Sequence, residues 1–114
     1  MTALDLRVID HGRGAPAHGV HVTLERVGPG ERQHVIGDGV TGPDGRVPEL
    51  LRDDSLLEAG RYCLTCRLTA YFAAQDTVPL FPEIPLIFDV RIPAGMTRLR
   101  LYVSGHSFTV VREP

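Results

Sequence analysis

Nine prolines and twelve glycines are spread along 114 residues. The runs between them are short and alternate in polarity, which disfavours long helices and points to an all-β sandwich or barrel. The clearest run is Arg98-Leu99-Arg100-Leu101-Tyr102-Val103-Ser104. Successive side chains on a strand point to opposite sides, so Leu99, Leu101 and Val103 share one face and Arg98, Arg100, Tyr102 and Ser104 the other. The apolar face belongs to a core. The polar face is either a solvated sheet surface or a cationic lining, since neighbouring guanidiniums suit carboxylate, phosphate or urate-like anions.

Further strands are expected over 4–10, 20–27, 61–69, 84–92 and 108–112, with a shorter one over 32–37. In the first, Leu6 and Val8 lie on one face and Asp5, Arg7 and Ile9 on the other. Turns are expected over 12–17, at Gly28-Pro29-Gly30 and over Thr41-Gly42-Pro43-Asp44-Gly45-Arg46, where Asp-Gly supplies a positive-φ corner. Residues 70–75 alone have helix-forming composition. Cys63 and Cys66 form a C-x-x-C, but their flanks read as strand. There, positions i and i+3 face opposite ways, about 10 Å apart and out of disulfide reach. No second C-x-x-C completes a metal site, so two unpaired packing thiols are expected.

At 43% hydrophobic and 23% charged residues the chain has the composition of one folded domain over 1–114. A net charge of −2 argues against a nucleic-acid partner. No apolar run approaches the roughly 18 residues of a membrane helix, and the amino end lacks a secretory core, so no membrane partner and a cytoplasmic location are expected. All twelve basic residues are arginine, consistent with a GC-rich bacterial genome. No metal-ligand cluster and no cofactor motif is present.

The segments Arg7-Val8-Ile9-Asp10-His11-Gly12-Arg13-Gly14-Ala15-Pro16-Ala17, Thr41 to Arg46, Gly60-Arg61-Tyr62, Ala70-Tyr71-Phe72, Phe81-Pro82-Glu83 and Leu101 to Thr109 follow one another in the order and spacing of a known signature. Together they resemble the family of transthyretin and 5-hydroxyisourate hydrolase over essentially the whole chain. The resemblance implies a transthyretin-like sandwich of two four-stranded sheets with one short helix. It also implies a homotetramer, a dimer of dimers that face each other across a central channel. Asp5, Arg7, Ile9, Arg98, Arg100, Tyr102, Thr109 and Val111 would then line that channel and bind a small anionic or aromatic molecule.

The departures bear on chemistry. The hydrolase resembles this chain but carries a His where Arg7 stands, a His where Arg98 stands, and Y-R-G-S where Val111-Arg112-Glu113-Pro114 stands. Of its catalytic set, only Arg46 and Arg112 match. Arginine stays protonated and has no acceptor, so it cannot take a proton from water as His does. His106, in the loop before the last strand, is the strongest replacement base and His11 a weaker one; an exposed turn histidine is the plain alternative for His106. Three functional expectations follow. The first is a repurposed enzyme in which Arg7, Arg46 and Arg98 stabilise developing charge while Asp5, Tyr102 or His106 moves protons. The second is a noncatalytic binder. The third is a 5-hydroxyisourate hydrolase with a displaced base. Clustered arginines would repel one another unless an anion or Asp5 neutralises them.

Overall fold

The computed structural model describes residues 3–31, 33–48, 50, 57–91 and 96–113. The alternating segments form strands β1 (Ala3–Asp10), β2 (Ala15–Pro16), β3 (His21–Val27), β4 (Gln33–Val40), β5 (Gly60–Arg67), β6 (Glu83–Val90), β7 (Met96–Val103) and β8 (Phe108–Glu113). A helix, α1 (Thr69–Ala73), separates β5 from β6. Two four-stranded sheets result, ordered β2-β1-β7-β8 and β4-β3-β5-β6. Strands β1 and β7 run parallel, whereas every other pairing is antiparallel.

The apolar halves of the strands meet between the sheets. Leu6 and Val8 of β1 and Leu99, Leu101 and Val103 of β7 pack in one cluster with Val22, Leu24, Tyr62, Leu64 and Ile84 of the other sheet. Burying each such side chain contributes about 1.5–3 kcal/mol. Among the described residues no helix is long and apolar enough to cross a membrane.

Boundaries move where tertiary contacts override local pattern. The 12–17 turn contains β2, whose Pro16 sits on an edge where no ladder N–H is needed. Strand β4 runs on to Val40 because β3 offers partners as far as His21. The expected strand over 61–69 stops at Arg67; the Leu68 N–H turns to the Pro82 carbonyl at 2.8 Å and α1 begins. Five residues cannot sustain a helix alone. This one is held by buried Tyr71 and Phe72, and the Tyr71 hydroxyl donates to Asp10 Oδ2 at 2.7 Å.

Cys63 and Cys66 are both buried and unpaired. Burial pushes the Cys66 thiol up to about 12, only partly opposed by the Arg67 charge. A raised folded value means that stability is complete below about pH 9 and falls as pH rises through it, by up to about 1.4 kcal/mol per unit until the folded thiol also ionises. Urea midpoints measured from pH 8 to 11 on wild type and Cys66→Ala are therefore expected to diverge in slope. Parallel pH profiles would contradict this.

Candidate functional site on the outer face of the β1-β7-β8 sheet

The ladder fixes which polar side chains share the outer face. Parallel pairing sets Asp5 beside Arg98, Arg7 beside Arg100 and Ile9 beside Tyr102. Antiparallel pairing extends these rows to Glu113, Val111 and Thr109. Neighbouring members stand about 4.8 Å apart across the sheet. Arg46 joins from the side: its residue bridges Arg7, and the Val8 N–H donates to the Gly45 carbonyl at 2.8 Å. That seam requires glycine at position 45, where φ is +80° and an added Cβ would stand 2.3 Å from the Val8 oxygen. The Asp-Gly corner read from sequence thus carries Arg46 to the face.

The charges on this face are nearly balanced. Arg46 Nε lies 3.3 Å from Asp5 Oδ1 and its Nη1 3.7 Å from Asp44 Oδ2. Arg7 Nε donates to the Asp44 carbonyl at 2.9 Å. The Arg46 backbone N–H donates to Asp44 Oδ1 at 3.0 Å. That bond, more than the Arg46 and Arg7 charges, holds the Asp44 carboxyl below its ordinary range. Arg100 Nε pairs with Glu113 Oε1. Arg98 is exposed, and its guanidinium makes neither hydrogen bond nor ion pair among the described residues. Four guanidiniums therefore face three carboxylates. Self-repulsion is compensated by Asp44 and Glu113 as well as by Asp5, which was the one carboxylate expected from sequence to do so.

At the far end of the rows lies a groove of about 280 Å³ lined by His11, Tyr102, Ser107, Thr109 and Val111. The His11 and Tyr102 rings meet edge to face with centroids 6.4 Å apart. The structure thus gathers Asp5, Arg7, Ile9, Arg98, Arg100, Tyr102, Thr109 and Val111 on one face, with Arg46 at its margin. It does not bring Arg112 there: Arg112 is in register with Leu99, so it shares the opposite, core-side face of β8. His106 sits on the exposed 104–107 turn, its N–H 3.4 Å from Ser104 Oγ, and it is not among the groove's lining residues. Asp44 and Glu113, which pair with arginines of this face, were not among the residues expected there from sequence, and His11, which lines the groove, was ranked below His106.

A second groove, of about 410 Å³, runs beside Gly28, Gly30, Gly60 and Arg91. Its Arg61 and Asp89 satisfy each other through two contacts of 2.8 and 3.3 Å.

The HIUase/Transthyretin family matches residues 4–113. The 5-hydroxyisourate hydrolase of Deinococcus radiodurans is 34% identical, over 96% of this chain and 93% of its own length. The crystal structure of (S)-allantoin synthase superposes with a TM-score of 0.87 at 31% identity. That match covers 99% of this chain but only 44% of the synthase chain. The Klebsiella pneumoniae 5-hydroxyisourate hydrolase superposes with a TM-score of 0.83 at 28% identity, each chain covered in full. Sequence signature, sheet order and these likenesses agree: the chain belongs to the HIUase/Transthyretin family.

Proposed function

We propose that this chain is a small-molecule enzyme that binds an anionic or enolic substrate on the arginine-bearing face and does not use the His-based water activation of the hydrolases it resembles. The reaction class is isomerisation, cyclisation, decarboxylation or lactone-type hydrolysis. In each of these, guanidiniums stabilise charge that develops on oxygen. One observation carries the reading. Among the described residues Arg98 is left unengaged while Asp5 and Glu113, the carboxylates beside it in its row, are drawn to Arg46 and Arg100. A free guanidinium between occupied carboxylates is a vacancy for an external anion.

The working assembly in this reading is a cytoplasmic homotetramer of single-domain protomers, with the arginine-bearing faces opposed across a channel. Support comes from β8, a sheet edge that leaves Phe108 and Val110 38% and 42% exposed. Edges of this kind are commonly covered by pairing.

Urate, a planar anion, serves as a binding probe. Arg98→Ala is expected to weaken its calorimetric affinity by about 10- to 100-fold, the size of one charge-assisted contact. Arg112→Ala should leave it unchanged. Equal affinity in wild type and Arg98→Ala would refute the anion site.

A second reading, 5-hydroxyisourate hydrolysis with a displaced base, is favoured by the His11 imidazole at the groove and by the 34% identity to a hydrolase.

A further inference from the structure

We propose that His11 is the proton-transfer residue of this face, and that the reaction it serves is tautomerisation of an enolisable keto carboxylate bearing a flat ring; the proposal rests on the anion-binding reading above. Side chains 5, 7 and 9 point outward along β1, and His11 continues that series one residue beyond the strand. It is held there from two sides. Its backbone N–H donates to the Val103 carbonyl at 2.8 Å, prolonging the β1–β7 ladder past Asp10. Asp10 itself turns inward, 2% exposed, and accepts from the Tyr71 hydroxyl at 2.7 Å and from the Arg13 N–H at 3.1 Å. The carboxylate next to His11 is therefore committed to the fold, and the imidazole is left at the groove, edge-on to Tyr102.

The groove and the arginines form one continuous surface. Arg100 and Arg98 precede Tyr102 by two and four residues, about 7 and 13 Å along the strand. Val111, a groove residue, is in register with Arg100. A flat ring lying along Tyr102 and Val111 would thus hold its carboxylate toward the long guanidino side chains and its acidic carbon beneath His11. The neutral imidazole nitrogen takes the proton from the carbon next to the ketone. The C–H electron pair becomes the new carbon–carbon π bond, and the ketone π pair moves onto oxygen beside a guanidinium. The imidazolium then returns the same proton to that oxygen, giving the enol. One proton changes place and no co-reactant is consumed.

Phenylpyruvate in D2O, followed by proton NMR, reads binding and proton abstraction in one sample. Wild type is expected to broaden the aryl resonances and to exchange the methylene protons faster than buffer. His11→Asn should keep the broadening and lose about 100-fold of the protein-dependent exchange. His34→Asn, exposed on β4 of the other sheet, should retain both. Exchange that persists in His11→Asn, or broadening without exchange in wild type, overturns the role of His11 and leaves the anion site standing. No broadening in wild type, or broadening indifferent to Arg98→Ala, removes the anion site and the proposal with it.

Discussion

Gly45→Ala is expected to lower stability by about 2–4 kcal/mol and to detach Arg46 from the arginine-bearing face. Two costs combine. A φ of +80° strains any side-chain-bearing residue, and the new Cβ would meet the Val8 oxygen at 2.3 Å. Relief requires β1 and the 41–46 turn to separate. That movement breaks the 2.8 Å bond from the Val8 N–H to the Gly45 carbonyl and disturbs the 2.9 Å bond from the Ala17 N–H to the Val8 carbonyl. Urea unfolding reads the loss as a lower midpoint at unchanged slope. Urate titration of the folded fraction should show weakened binding, because the Arg46–Asp5 pair no longer forms and Asp5 is released toward Arg98. A variant within 0.5 kcal/mol of wild type, on the order of an ordinary surface change, would contradict the role given to this corner.

Leu101→Ala should cost about 2–5 kcal/mol, the range for a large-to-small change in a packed core. Leu101 is fully buried and lies between Arg100 and Tyr102, so the core side of this one strand positions the polar side. Val111→Ala, on the outer face and 45% exposed, should change stability by less than about 0.5 kcal/mol while widening the groove. The two variants separate support from lining. Comparable losses at both positions would mean that β8 is packed more tightly than its exposure indicates.

Period-two alternation made most of the sandwich readable. Leu99, Leu101 and Val103 announced β7 because nothing but a strand places them together, and the Asp44-Gly45 corner announced a backbone conformation that few residues tolerate. Strand β2 was not readable: two residues ending in proline carry no periodicity, and only their pairing with Ile9 and Asp10 makes them a strand. The Glu113–Arg100 pair depends on the β7–β8 register, which adjacent sequence does not contain. Two placements were within reach of the same rule that found β7. Position 112 alternates out of phase with 109 and 111, which places Arg112 on the other face. Position 11 alternates in phase with 5, 7 and 9, which carries His11 to the same face as Asp5, Arg7 and Ile9. His106 was preferred because the family resemblance puts the loop before the last strand near the channel mouth; in the structure the 104–107 turn folds back on itself, Ser104 Oγ meeting Ser107 Oγ at 2.7 Å.

In the proposed function, guanidiniums at positions 7 and 98 form an anion-binding face in place of water-activating imidazoles. Its most direct test is the ultraviolet decay of freshly generated 5-hydroxyisourate with and without the protein. The arginines cannot deprotonate water, and in the proposal above His11 moves a proton between carbon and oxygen rather than from water, so decay should stay within a few-fold of the spontaneous rate. Acceleration by several orders of magnitude would contradict the claim and establish the displaced-base hydrolase in its place.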